Sequence, residues 1–254
     1  TAIAAPLSLG GWQALLGVEA DRAAAWNRTD VRARVAALST LPVSFVKDTA
    51  AACVAELVAG RGRSVRSFVY IFVDTFVGGG LVIDSHLRGG LNGNAGAIGS
   101  LALHRAMPGD TAPPPQLLSV ASLIMLERRF EQAALDPDAV SDRRALEAPW
   151  QPITQAWLDE AAPAIVLAIH DAACLLDLEG VIIDGSFSRE LLEALLDAVS
   201  AARSRYSWEG VECPQLLPGT TGSDARALGG ALLPLHANFA PDRDLFLKLD
   251  KGAG

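Results

Sequence analysis

Cysteine is scarce in this chain. Only Cys53, Cys174 and Cys213 occur among 254 residues, far apart and without CxxC spacing. So sparse and odd a set argues against a disulfide scaffold or a zinc centre built from these cysteines, and fits reduced thiols in a cytoplasmic protein. Basic residues are also in deficit, with 21 Lys and Arg against 29 Asp and Glu and a formal net charge of -8. Phosphate backbones are bound by clustered cations, so this portion is not expected to bind nucleic acid itself. No apolar run reaches the roughly 18 residues of a membrane helix, and no signal peptide is visible. The expected location is the cytoplasm, with no membrane partner. The chain also lacks an initial Met and opens on an apolar stretch, TAIAAPLSLGGW, which suggests a fragment whose earlier elements lie upstream.

What is present is apolar sequence and glycine. Half of the residues are hydrophobic and 23 are glycine, enough for one large domain or two lobes with a sizeable core. Residues 72–100 read FVDTFVGGGLVIDSHLRGGLNGNAGAIGS, where Gly78, Gly79 and Gly80 interrupt β-forming runs and a second glycine-rich loop follows. Glycine at that density marks a sharp turn or a backbone approached closely by something else. Strands are expected at 2–5, 41–46, 67–74, 80–84 and 181–185, with a strand or edge segment in VECPQLL. Helices are expected at 29–38, from Asp48 or Thr49 to Gly60, and at 116–135, 153–178, 188–202 and 223–240. Gly10 and Gly11 open a loop, Pro163 kinks or divides its helix, and residues 107–115 form a proline-rich loop. Strands alternating with helices indicate an α/β architecture.

Three short motifs occur in a fixed order: KDTAAA at 47–52, DTFVGGG at 74–80 and GNAGAIGS at 93–100. They resemble the N-D-x-x-A-A, G-T-G-x-G-G-G and G-x-A-G-E-I-G-H motifs of the ROK family. That family joins bacterial sugar kinases and sugar-responsive transcriptional regulators on the actin-like ATPase (ribonuclease H-like) fold. The closing segment ALGGALLPLHANFAP is similar to the family's last helix. The resemblance runs from Ala2 to about Lys248. It implies two lobes. Residues 1–65, completed by 237–254, would be the remainder of an N-terminal lobe that is incomplete in this chain, and 66–236 the C-terminal lobe.

The resemblance also implies roles. Asp48 matches the kinase base that accepts the proton of the attacking sugar hydroxyl, a task of orientation more than of deep activation. Lys47, Asp48, Asn94, Ala97 and Ser100 would face the sugar. Thr75, Gly78, Gly79 and Gly80 would serve as a phosphate loop, and Asp184 and Gly185 would lie near the nucleotide base. It is not a Walker loop, since no Gly-Lys-Ser/Thr follows. Several positions depart from the pattern. Lys47 replaces an Asn and is placed to pair with Asp48, Ala97 replaces a sugar-binding Glu, and Ser100 replaces a His. The Cys-rich zinc stretch has no counterpart, so neither zinc nor any other metal ligand set is expected. Asp74 stands beside the loop where a small residue is usual. We expect first the sugar-sensing, dimerising body of a ROK-type regulator with an eroded kinase site, bound to DNA only through an upstream segment. The alternative is an ATP-dependent hexose kinase with Asp48 as base, using ATP and magnesium. A third possibility is a binding protein that retains only the fold. His86 is expected in a turn, His170 and His236 as packed histidines, and Arg61, Arg63 and Arg66 in a solvated loop.

Overall fold

A computed structural model describes residues 1–6 and 17–239. Gly10–Gly11 and the segment beyond residue 239 lie outside the described residues. Two sheets carry the fold. Strands β1 (Ala2–Ala5) and β2 (Ser44–Lys47) pair in parallel, with helices α1 (Ala20–Arg28) and α2 (Val31–Ala36) between them in sequence. Helix α3 (Asp48–Ala59) leaves β2 without a connecting residue.

The second sheet has the order β5-β4-β3-β6-β7, built from β3 (Phe68–Val73), β4 (Gly78–Ile83), β5 (His86–Arg88), β6 (Gly180–Gly185) and β7 (Gln215–Pro218). Strands β3, β6 and β7 run parallel, and β4 and β5 join antiparallel. Every residue of β3 and β6 is buried, which is why β3 reads as an unbroken apolar run and β6 as one broken only by Asp184, rather than as alternating strands. Successive side chains of β3 serve two cores. Val69, Ile71 and Val73 pack with α6 (Gln151–Leu176) and α7 (Arg189–Ala202) on one face. Phe68, Tyr70 and Phe72 pack with Ala52, Cys53 and Leu57 of α3 on the other. Helix α3 is buried from Thr49 to Leu57, so it is a central element rather than an amphipathic cover. Helix α8 (Ala225–Phe239) returns onto α3 and β1. Gly229 permits this, because a Cβ there would run into the Ala51 carbonyl.

Several expectations change. The triple glycine is not itself the turn. The bend covers residues 74–76, and Gly78–Gly80 lie inside β4, paired with Phe72, Ile71 and Tyr70. The helix expected at 116–135 is two, α4 (Leu118–Ala121) and α5 (Leu123–Gln132), divided at Ser122. That residue has extended backbone, and its buried Oγ accepts the Val77 N–H at 2.9 Å. Thr29 separates α1 from α2, so the expected 29–38 helix starts later, and the helix before it was missed. His86 begins the edge strand β5, the turn being made by Asp84 and Ser85 with positive φ. Pro163 lies inside α6, which runs on from Gln151 to Leu176 undivided. His170 is satisfied by the Ser207 carbonyl at 2.9 Å but is partly exposed rather than in the core. His236 is half-buried on α8, where burial and nearby His86 hold its pKa below the usual range. The basic cluster is solvated, with Arg66 pairing exposed Asp84 at 3.3 Å.

Candidate functional site

The three motifs meet around Gly78–Gly80. Because strand side chains alternate, Gly78 and Gly80 turn toward α3 and Gly79 turns the other way. A Cβ on Gly78 would come 2.7 Å from Thr49 Cγ2, and one on Gly80 2.5 Å from Cys53 Cβ. On the opposite face, a Cβ at Gly79 would reach Ile98 at 2.9 Å and the Gly96 carbonyl at 3.0 Å. Helix α3 and the loop carrying Gly96 and Ile98 therefore close on β4 from both sides. Thr49 Oγ1 donates to the buried Gly79 carbonyl at 3.0 Å, which ties the first turn of α3 to the strand. A buried bond of this kind contributes on the order of 1 kcal/mol.

Asp48 stands at the corner where β2 becomes α3. Its Oδ1 accepts the Thr49 N–H at 2.8 Å, so the carboxylate satisfies one of the free N–H groups of the helix's first turn and also gains from the helix dipole. The same residue lines a cavity of about 620 Å³ with Ala4, Ala5 and Pro6 at the end of β1 and with Arg226, Ala227 and Gly230 of α8. Among the described residues the cavity is otherwise walled by small apolar side chains, leaving Asp48 and Arg226 as its charged groups. Arg226 makes an ion pair through Nη1 with Oδ2 of Asp74, and its guanidinium lies 5.7 Å from the centre of the Phe72 ring. Asp74 is in the bend before β4, so one cation bridges the glycine motif to the Asp48 cavity.

The other expected residues are dispersed. Lys47 is half-buried and forms no ion pair with Asp48 among the described residues. Burial lowers its pKa, and the Asp48 charge offsets only part of that. Asn94 and Ser100 are exposed, Ala97 is half-buried, and none of the three lines the Asp48 cavity. Thr75 is exposed in the bend. Asp184 is fully buried with both carboxylate oxygens engaged. Oδ1 accepts from Gly185 N at 2.9 Å and Arg189 Nη1 at 3.0 Å; Oδ2 accepts from Gly222 N at 2.8 Å and lies 3.3 Å from Thr221 Oγ1. That set of bonds pins the turn between β7 and α8.

Glu56, Thr220, Thr221 and Arg226 were not singled out in the sequence. Glu56 is fully buried, and its carboxylate accepts from Thr220 N at 2.5 Å, Thr221 N and Oγ1 at 3.0 Å, and Arg61 N at 2.9 Å. A single acid inside the apolar run AAACVAELVA was the available signal, since a buried charge must find donors. Arg226 carried a signal too: a cation in the first turn of a helix opposes the dipole.

The parallel-centred sheet, the helix packed across its face and the returning last helix define an actin-like ATPase fold. The chain belongs to the ROK family, whose sequence profile matches residues 15–237. It is similar to N-acetylmannosamine kinase of Haemophilus influenzae, 27% identical over 205 residues, which are 79% of this chain and 66% of that protein. The chain thus spans just under two thirds of the length of that relative. Its fold is similar to a ROK hexokinase from Thermus thermophilus (TM-score 0.67, 23% identical, 93% of this chain and 78% of that one). It also matches a ROK family transcriptional regulator homologous to the Escherichia coli MLC protein (TM-score 0.62, 19% identical, 81% and 55%). Among the described residues no helix is long and apolar enough to cross a membrane.

Proposed function

We propose that this protein acts as an ATP-dependent sugar kinase, with Asp48 as the base and a hexose or N-acetylhexosamine as the acceptor. The curated relatives matched include N-acetylmannosamine kinases and a glucokinase, which supports the kinase alternative over the regulator placed first on the sequence. One observation carries the reading: the Asp48 carboxylate opens on the cavity between β1 and α8 while its helix is bonded to the glycine strand. In the proposed reaction Asp48 accepts the proton of a sugar hydroxyl. The oxygen then attacks the γ-phosphorus of ATP, the bond to the β-phosphate oxygen breaks, and ADP leaves. Little chemical activation is asked of the base, because phosphoryl transfer depends mainly on alignment and charge stabilisation. The donor's phosphates would approach the bend at 74–76. Gly78–Gly80, closed on both faces by protein, would shape that bend from beneath.

The test is a coupled ADP-release assay over hexoses and N-acetylhexosamines with the full-length protein. Turnover that falls by roughly 10²–10⁴-fold in Asp48→Asn is the expected result. Sugar-dependent thermal stabilisation with no turnover for any sugar would transfer support to the regulator reading. The replacement of family residues by Ala97 and Ser100 is what keeps that second reading in view.

A further inference from the structure

Arg226 is hard to explain as a surface cation. It sits in the second position of α8, where the helix dipole disfavours positive charge. Its guanidinium is held between the Asp74 carboxylate and the Phe72 ring. It shares the Asp48 cavity, whose remaining walls are alanine, glycine and proline. Asp74 is itself almost buried, at 9% exposure, beside a backbone bend read as phosphate-facing. A carboxylate there repels any phosphate that approaches. The two anomalies cancel each other: the misplaced cation and the misplaced anion are one ion pair.

We infer that Arg226 is the oxyanion-recognising side chain of the Asp48 cavity and that Asp74 is its internal counter-ion, displaced when a phosphate-bearing ligand binds. The inference rests on the phosphoryl-transfer reading above and adds a residue to it. A guanidinium has five N–H donors in a planar fork, and among the described residues Asp74 pairs with Nη1. The remaining donors match the fork geometry of a tetrahedral oxyanion. Asp48, in the same cavity, is left to accept the hydroxyl proton. The apolar remainder of the wall offers a ligand no competing charged group among the described residues. Asp74 acts as a stand-in anion: it keeps a guanidinium beside an apolar wall neutralised until the ligand arrives, and it sets a threshold that weakly charged ligands do not pass.

The phosphate has two possible carriers, the terminal group of the nucleotide donor or a phosphate already on the sugar. Calorimetric titration of the full-length protein with inorganic phosphate tests the site directly, with thermal melts confirming that each variant is folded. Asp74→Asn removes the competing anion and is expected to tighten phosphate binding about tenfold, the effect of one freed charge-assisted contact. Arg226→Met is expected to weaken it by at least as much, and Arg226→Lys, which keeps the charge but loses the fork, to fall between. Equal affinity in all four proteins would overturn the inference, as would absence of binding to both the parent and Asp74→Asn. ATP and glucose 6-phosphate titrated separately then identify the carrier, which is the one whose affinity follows the same order; if neither does, neither carrier displaces Asp74 and the inference is overturned. A protein without turnover on any sugar removes the kinase reading but leaves these titrations standing. Flat titrations in a protein that does turn over remove this inference alone.

Discussion

At the scale of single residues, buried polar groups are the most informative. Tyr70 is fully buried in the β3 face that meets α3, and its hydroxyl lies beside Thr221 without a hydrogen bond of good geometry. Burial first, then the Asp184 and Glu56 charges, push its pKa well above the ordinary value of 10. The folded protein therefore keeps this phenol protonated while the unfolded chain ionises it. Stability on this account is intact below pH 10 and is lost as the pH rises beyond it, at about 1.4 kcal/mol per pH unit. Tyr70→Phe should leave neutral-pH stability equal or slightly higher and should shift the alkaline unfolding midpoint upward, as followed by circular dichroism. An unshifted alkaline midpoint would show that Tyr70 does not control it. At this same scale the site was partly legible. Asp48 could be read because a carboxylate at a strand-to-helix corner within a recognisable motif is a local feature. Its partner Arg226 could not, because 178 positions of chain separate them, taking 226 less 48, and no local spacing relates them.

At the scale of elements, the glycine strand decides how closely α3 can approach the sheet. A Cβ at Gly80 meets Cys53 Cβ at 2.5 Å, and neither atom is the mobile end of a flexible side chain. Gly80→Ala is expected to cost roughly 1–3 kcal/mol by overpacking. For a chain of this size that means a fall in melting temperature of about 2–4 °C per kcal/mol. Differential scanning calorimetry measures it, and an unchanged melting temperature would mean that α3 is free to shift away. The sequence placed the strands and helices it found in the right order, but it missed α1 and β5, misread the glycines as a turn and merged α4 with α5. The last two errors share a cause, contacts with segments distant in the chain. Glycines chosen for the close approach of another element look locally like glycines chosen for a turn. The break at Ser122 exists because Val77, 45 residues away, needs an acceptor.

At the scale of the whole molecule, the two buried carboxylates Glu56 and Asp184 together hold the turn at Thr220–Gly222. Through that turn α3, which starts at Asp48, is coupled to α8, which carries Arg226. Glu56→Ala would remove the shared acceptor of several part-buried donors and should expose the turn to limited proteolysis before global unfolding. Glu56→Gln, which keeps the shape and one acceptor, should protect the turn in large part. Cleavage patterns identical to the parent in both variants would show that the turn is held by other contacts.

The amino-acid sequence alone determined the α/β class, the family and the placement of Asp48, because each is written in contiguous motifs and in apolar periodicity. Tertiary structure decided which charges share a cavity and why three glycines stand in a row. It also showed that the buried acids of α3 and β6 serve one distant turn. Those properties depend on contacts between segments far apart in the chain, and the partner of a buried charge is selected by three-dimensional proximity rather than by spacing.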